Sequence, residues 1–339
     1  MDSVSQMALG AGVAVAVMGP RVPLWKAALT GALAGTLPDL DVLIDYGDPI
    51  RNMTFHRGWS HALFWLSLAS LPLAWLAARA SATAPRWRRW WLALWLVLIT
   101  HTLLDAMTIY GTQLWQPFSD YPVGLGSLFI IDPLYTLPLL IGLAVALWRR
   151  QGRRALNANR NGLILSTLYL CWSVLAQQQV QAQVPASLAA AGLEADRVLV
   201  VPTPFNTLVW RVLVIAGDDY AEGFYSLLDG EAPIHFERYP RGQDLYRALE
   251  GQWEVDRIAW FSHGFFRLRQ HGDEVRITDL RMGQEPQYFF TFAVARVTEQ
   301  GLVAVPPMQY RDRGDWRTGL RWLQRRATDA TLPPLSPGP

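Results

Sequence analysis

Apolar segments separated by short polar loops fill the first half of the chain, at lengths typical of membrane helices. The later four segments approach the ~20 residues that a straight span needs, whereas the first two are shorter. In the second segment, Gly31 and Gly35 are four residues apart, so the first two segments are predicted to pack closely as a hairpin. The apolar segments are 4–18, 24–37, 61–80, 90–108, 129–148 and 162–180.

The pattern changes beyond the last apolar segment to short alternating stretches that are typical of β-strands. We therefore predict an α-helical membrane bundle of about six helices, followed by an α+β domain with an antiparallel sheet. The predicted strands are 197–201, 208–216, 220–228, 264–270, 274–281 and 288–297, with a helix over 242–250. The predicted domains are 1–182 for the bundle, 183–315 for the second domain, and 316–339 for a C-terminal segment with a disordered Pro-rich tail.

Composition agrees with a membrane protein that also has a polar domain. Hydrophobic residues make up 51% of the 339 residues and charged residues only 17%. Arginines gather in the loops 79–89 and 149–160, which the positive-inside rule places in the cytoplasm. The loops 38–60 and 110–128 and the second domain are then extracytoplasmic. Because this topology accounts for the net charge of +2, no nucleic-acid partner is inferred, and the lone Cys171 allows no intrachain disulfide.

Carboxylate and imidazole side chains gather at the extracytoplasmic level of this topology. The candidate metal ligands are Asp39, Asp41, His56, His61, His101 and Asp105. His101 and Asp105 share one helix face because they are four residues apart. Carboxylates and imidazoles are ligands of zinc and manganese, and ionisable residues at membrane depth mark functional sites. The sequence therefore predicts a divalent-metal site, with zinc favoured and manganese as the alternative.

Each cluster also has a structural interpretation. An Asp-Leu-Asp run such as 39–41 commonly follows a helix in a turn, and His56 could cap a helix. A buried His101 needs a hydrogen-bond partner, which Asp105 alone could supply. The metal interpretation is favoured because three separate clusters are expected at one depth.

Nearly the whole chain resembles one bacterial family. The stretches GALAGTLPDLDVLID, DPIRNMTFHRGWSHAL and HTLLDAMTIYGTQLWQPFS are similar to successive blocks of the membrane-bound metal-dependent hydrolases, also called LexA-binding, inner membrane-associated hydrolases. The resemblance implies a multi-pass protein of the bacterial inner membrane, with metal ligands in the blocks 38–41, 56–61 and 101–105. Some members carry a His at the position of Gln6, so the resemblance supplies no ligand from the first segment here.

A metal at this level indicates hydrolytic chemistry. A divalent cation would acidify a water molecule and polarise a carbonyl or phosphoryl oxygen, with Asp45 or Asp105 taking the proton. A substrate entering from the lipid bilayer would be amphiphilic, such as a lipid ester or phosphoester.

Two alternative functions stay open. One is a metal-independent lipid phosphatase, although the run before His101 offers no arginine for phosphate, and the other is a non-enzymatic scaffold or receptor with a structural polar cluster.

The topology can be tested with reporters fused after Val184. Since we expect both chain ends to be extracytoplasmic, alkaline phosphatase at this position should be active, and a reporter that works only in the cytoplasm should be silent. A fusion after Arg86, in a predicted cytoplasmic loop, is the control and should behave in the opposite way. Cytoplasmic reporter activity after Val184 would invert the predicted orientation.

Overall fold

The computed structural model describes residues 1–310 and 315–335, which fall into two compact units. A helical N-terminal region precedes antiparallel sheets, as the sequence pattern predicts. The first unit contains Met1–Leu43, Arg57–Val174 and Pro204–Asn206, and the second contains Ile44–His56, Leu175–Thr203 and the described residues from Thr207 onward. The polar segment Ile44–His56 therefore belongs with the sheets rather than with the helices that flank it in sequence.

The helices of the first half lie close to the predicted apolar segments. They are α1 (Ser3–Met18), α2 (Leu24–Thr36), α3 (Pro49–Phe55), α4 (Leu63–Ala80), α5 (Trp87–Ala106), α6 (Pro133–Arg149) and α7 (Arg153–Ala191). The short α3 was not predicted, although its start signals are present: Asp48 caps the backbone N–H groups of Ile50 and Arg51, and Pro49 opens the helix. The long α7 runs from the first unit into the second, across the predicted boundary at residue 182.

The backbones of α1 and α2 touch through facing glycines. A Cβ atom added at Gly31 would lie 2.2 Å from the carbonyl oxygen of Gly10. One added at Gly35 would lie 2.8 Å from the carbonyl oxygen of Gln6. Larger side chains cannot enter this contact, and small residues are the usual means of close helix packing in membranes. The predicted hairpin is therefore present, and its close approach fixes the position of the Gly35 carbonyl group.

Among the described residues, two helical segments are long and apolar enough to cross a membrane, Ser3–Arg21 and Leu63–Ala80. By comparison α2 has 13 residues and α6 has 17, which is short of the ~20 that a straight span needs. The described residues therefore do not confirm the predicted bundle of six membrane helices. They do show a shared core, in which small side chains of α1 and α2 pack against Trp90 of α5.

Antiparallel sheets and three further helices build most of the second unit. The strands are β1 (Arg197–Pro202), β2 (Val209–Ala216), β3 (Asp219–Ser226), β4 (Phe236–Pro240), β5 (Phe266–His271), β6 (Glu274–Asp279), β7 (Gly283–Gln284), β8 (Gln287–Tyr288), β9 (Thr291–Thr298) and β10 (Gly301–Tyr310). The helices are α8 (Gln243–Leu249), α9 (Trp253–Phe261) and α10 (Trp316–Arg326). One four-stranded sheet has the order β1-β2-β3-β4, and another has the order β10-β9-β6-β5.

Four strands were not predicted: the short pair β7 and β8, and the edge strands β4 and β10 of the two four-stranded sheets. The β10 sequence contains Pro306 and Pro307, which cannot donate hydrogen bonds to a neighbouring strand. The structure accommodates them because β10 is an edge strand whose register shifts between Ala304 and Met308. In the predicted disordered tail, 332–335 lack regular secondary structure, and the rest of the tail lies outside the described residues.

The second unit contains buried ion pairs. On β2 and β3, Nε of Arg211 donates to Glu222 at 2.7 Å, and both side chains are buried. Arg267 of β5 pairs with Glu285 and donates to the Tyr220 hydroxyl at 2.6 Å. These groups connect the two sheets around a core that includes Leu213 and Tyr220. Buried charges of this kind are tolerated only when each is paired.

Removing one partner of the Arg211–Glu222 pair should destabilise the second unit. In Glu222→Gln the guanidinium of Arg211 would stay buried without its counter-charge, and we expect a loss of about 3–5 kcal/mol in the free energy of unfolding. The matched control is Asp244→Asn, which breaks an exposed ion pair with Arg247 and should leave the stability unchanged. Urea unfolding followed by circular dichroism measures both, and equal stability of the two variants would contradict the prediction.

Candidate metal centre

Four side chains of the first unit converge on one point. Asp39 comes from the 3-10 turn Pro38–Leu43 and His61 from the 3-10 turn Trp59–His61. His101 and Asp105 come from successive turns of α5. One ligand atom from each side chain lies within 4.8 Å of those from the others. His61, His101 and Asp105 are fully buried, whereas the Asp39 side chain is 21% exposed, so the cluster is open to solvent on the Asp39 side.

The separations match those of atoms that share one metal ion. Nε2 of His61 lies 3.2 Å from Nε2 of His101 and 3.3 Å from Oδ1 of Asp39. Oδ2 of Asp105 lies 3.2 Å from Nε2 of His61 and 3.4 Å from Nε2 of His101. Ligand atoms bound at ~2.0–2.2 Å to zinc are roughly 3–4 Å from one another. Two histidines and two aspartates are thus placed so that they could bind a divalent metal.

His101 directs its Nε2 atom at the cluster because its other nitrogen is held by the backbone. Nδ1 of His101 lies 2.7 Å from the carbonyl oxygen of Gly35. A carbonyl oxygen can only accept, so Nδ1 carries the hydrogen and Nε2 offers its lone pair to the cluster. Backbone carbonyls commonly hold metal-ligating histidines in this way. The contact exists because Gly35 lies in the close approach of α2 to α1.

His61 is oriented in the same manner by a serine and a carboxylate. The Ser60 hydroxyl donates to Oδ2 of Asp41 at 2.5 Å and lies 2.9 Å from Nδ1 of His61. Since the hydroxyl hydrogen is directed at Asp41, Ser60 accepts from Nδ1 of His61, and Nε2 faces the cluster. Thr102 of α5 donates to the His61 carbonyl oxygen at 2.5 Å, which attaches the 3-10 turn to the helix. Asp41 is therefore not one of the four converging residues; it holds Ser60, which in turn contacts Nδ1 of His61.

The two oxygens of Asp105 have different surroundings. Oδ1 accepts from the Gln6 amide at 3.1 Å and from the Met1 amino group, and it lies 3.3 Å from Nη2 of Arg57. Oδ2 is buried and faces the two imidazoles, so it receives a hydrogen bond only when a ring nitrogen that faces it carries a hydrogen, and Oε1 of Gln6 is buried without a hydrogen-bond partner. A buried carboxylate oxygen without a donor is costly. A cation between the imidazoles would satisfy Oδ2, so the donor set fits a metal ion.

The pKa shifts of Asp39 and His61, which lie in the turns before α4, also favour positive charge at the cluster. Burial by itself would lower the pKa of His61, but hydrogen bonds with Asp105, Asp39 and Asp41 outweigh it and raise the pKa to about 10. Burial would raise the pKa of Asp39, but hydrogen bonds from His101 and His61 hold it well below its usual range. When no cation is bound, a proton on His61 therefore takes its place.

Two of the sequence-predicted residues lie in the second unit. His56 is the C-terminal cap of α3. Asp45 accepts hydrogen bonds from the Gly47 backbone at 2.9 Å and the Asn52 amide at 3.1 Å, and these bonds lower the pKa of Asp45. Neither residue belongs to the converging group found among the described residues. A ligand role for His56 and a catalytic role for Asp45 stay predictions.

The sequence pattern does not predict which residues orient the histidines. Gly35 is expected only to pack against a neighbouring helix, and Ser60 and Arg57 belong to no predicted site. Ser60 and Arg57 lie next to His61 in the sequence, but this position is only a weak indication of a role at the site. A serine or an arginine beside a histidine is common in any loop. The contacts of Gly35 and Asp41 cross between elements, and no local spacing rule predicts them.

Comparison with known proteins agrees with a bacterial membrane family. The family described as YdjM inner membrane protein matches residues 1–180. The Bacillus subtilis (strain 168) protein "Uncharacterized protein YfhP" is 25% identical over 292 residues, which cover 82% of this chain and 84% of the relative. "Inner membrane protein YbcI" of Escherichia coli (strain K12) is 31% identical over 118 residues, covering 34% of this chain and 64% of the relative. No solved structure matches the chain.

Removing a ligand should abolish stoichiometric metal binding. We expect the full-length protein to bind zinc or manganese and His101→Ala to lose it, because His101 supplies one of the facing Nε2 atoms. Ser60→Ala should keep metal but bind it about 10–100-fold more weakly, which is typical when a group that supports a ligand is removed. The control His271→Ala, on an exposed strand end, should bind as the wild type does. Metal analysis and competition with a chelator measure these values, and wild-type affinity in His101→Ala would contradict the assignment.

Metal affinity should rise with pH. Because the pKa of His61 is raised to about 10, its imidazole is protonated at neutral pH, and a cation must displace that proton. At pH values below this pKa, the association constant for the metal should rise about tenfold per pH unit, because binding releases one proton. Titration calorimetry in buffers of different ionisation enthalpy counts the proton, and binding that is independent of pH would contradict the expected protonation.

Proposed function

Because this chain belongs to the YdjM inner membrane protein family, we propose that it is a metal-dependent hydrolase of the inner membrane. The family match spans the whole of the four-residue cluster. The observation that carries the proposal is the pair of facing nitrogens of His61 and His101, accompanied by two carboxylates at ligand spacing. In His101 the Gly35 carbonyl holds the outer nitrogen and leaves the lone pair of Nε2 directed at the cluster, as is common in metal-ligating histidines.

The residues of this chain would hold the cation, position the two imidazole rings and exclude water from one side of such a site. A divalent cation held by these side chains would act as a Lewis acid toward an ester or phosphoester oxygen and increase the acidity of water. Gly35 and Ser60 would keep the two imidazole rings in position through binding and release of the substrate. The burial of His101 and Asp105 excludes bulk water from one side, which strengthens electrostatic interactions there. Asp39, which is partly exposed, marks the side on which substrate and water enter.

Two carboxylates are candidates for accepting the proton from the attacking water. Asp105 lies within the cluster, so it could act as a ligand and as a proton acceptor. Asp45 is the second candidate, but hydrogen bonds from Gly47 and Asn52 lower its pKa and make it a weaker base. Asp41 and His56 stay proposed ligands outside this cluster, and a set of six ligands exceeds the need of one zinc ion.

The proposed location is the extracytoplasmic face of the membrane, with the second domain on the same side. The arginine-rich loops 79–89 and 149–160 support this orientation through the positive-inside rule. A site at the level of the membrane surface favours an amphiphilic substrate, such as a lipid ester or phosphoester. Zinc is the preferred cation for two histidines and two aspartates, and manganese is the alternative.

The hydrolase proposal can be tested on the purified full-length protein in detergent. We expect hydrolysis of a p-nitrophenyl ester or phosphoester that requires added zinc or manganese. His101→Ala should reduce the rate by more than the roughly 10–100-fold expected for a supporting group such as Ser60. Asp105→Asn should have an effect similar to that of His101→Ala.

The controls separate an enzyme from a scaffold. His271→Ala should retain the wild-type rate, since His271 is exposed on a strand of the second unit. A scaffold with a structural cluster would show no metal-dependent turnover with either substrate, and His101→Ala would then change only its stability. That outcome would exclude the hydrolase.

A further inference from the structure

Arg57 is a buried cation on a strained backbone. Its φ angle is 61°, in the left-handed region that non-glycine residues rarely adopt, and it is only 3% exposed. The conformation is held from both sides: its N–H donates to Oδ2 of Asp41 at 2.9 Å, and its carbonyl oxygen accepts from Gln113 at 2.9 Å. Backbone strain of this kind tends to occur at functional sites.

The guanidinium of Arg57 lies beside the metal cluster and is not fully satisfied. Nη2 lies 3.3 Å from Oδ1 of Asp105, and Nη1 donates to the Thr108 hydroxyl at 3.3 Å. The guanidinium also lies 5.0 Å from the ring centre of Tyr110. Its Nε atom is buried without a hydrogen-bond partner. A buried donor with no acceptor is costly, so an arginine placed only to neutralise Asp105 would be a poor solution.

The charges around Arg57 are suited to an anion. The carboxylates of Asp39, Asp41 and Asp105 are negatively charged, and the Arg57 guanidinium and the Met1 amino group both contact Asp105. A divalent cation with neutral histidines would offset the remaining negative charge. Arg57 adds positive charge beside the cluster and so favours an anionic substrate.

We propose that Arg57 binds a phosphoryl oxygen of the substrate, so that the hydrolase acts on phosphoesters rather than on carboxylic esters. The inference rests on the proposed function, because it places the substrate at the cluster of Asp39, His61, His101 and Asp105. A guanidinium matches the charged oxygens of a phosphoryl group, which is why arginine is common wherever phosphate is recognised. A neutral carboxylic ester has no charged oxygen that would require it.

The test measures binding of inorganic phosphate and of acetate to the zinc-loaded full-length protein by calorimetry, with the zinc content determined for each variant. We expect phosphate to bind better than acetate to the wild type. Arg57→Gln should retain zinc and bind phosphate at least about tenfold more weakly, as expected for loss of a hydrogen bond between charged groups. The control Arg51→Gln changes an exposed arginine of α3 and should leave phosphate binding unchanged.

A conservative variant keeps the test decisive if Arg57→Gln does not fold or loses zinc. Arg57→Lys retains a positive charge beside Asp105 but loses the planar pair of donors, so weaker phosphate binding with zinc retained supports the inference. Equal phosphate affinity in zinc-loaded wild type and Arg57→Lys would overturn it.

The measurements also separate this inference from the proposed function. A wild-type protein that takes up zinc but binds phosphate no better than acetate overturns the phosphoester inference alone. One that takes up neither zinc nor manganese overturns the hydrolase as well.

A further arm compares phosphatidate in mixed micelles with p-nitrophenyl phosphate. Tighter binding of the lipid indicates a membrane source and equal binding a soluble one, and in both cases Arg57→Lys must weaken binding.

Discussion

Two imidazole nitrogens that face each other at 3.2 Å are the constraint on which the helical unit depends. His61 and His101 each have the opposite ring nitrogen engaged by another group, so neither ring can turn away without breaking a buried hydrogen bond. The arrangement is stable only with positive charge between the rings, whether a proton or a metal ion. The carboxylates of Asp39 and Asp105 supply the matching negative charge.

The packing of the first helices places the group that orients His101. The carbonyl of Gly35 reaches His101 because α2 lies against α1 at a distance that admits no side chain. The same residue thus takes part in a helix contact and in the orientation of a candidate metal ligand. A larger residue at Gly35 would have to move the backbone of α2, and the lone pair of His101 would lose its direction.

Buried charge is used differently in the two units. In the second unit, the carboxylate of Glu222 is matched by Arg211, and that of Glu285 by Arg267 and Tyr220. In the first unit, Oδ2 of Asp105 faces Nε2 of His61 and Nε2 of His101 rather than an arginine. A buried carboxylate paired with an arginine is typical of structural interiors, whereas one that faces two imidazoles is typical of metal sites.

The sequence by itself determined the apolar helices of the first half, the strands β1 to β3, β5, β6 and β9, and the proximity of His101 to Asp105, because these follow from the periodicity of neighbouring residues. It also indicated which residue types would gather at one level. Only the tertiary structure decided that Asp39 and His61 meet that pair, that segment 44–56 belongs with the sheets, and that Arg57 lies beside Asp105. Such contacts join residues far apart in the chain, and their geometry depends on how whole elements pack rather than on any local pattern.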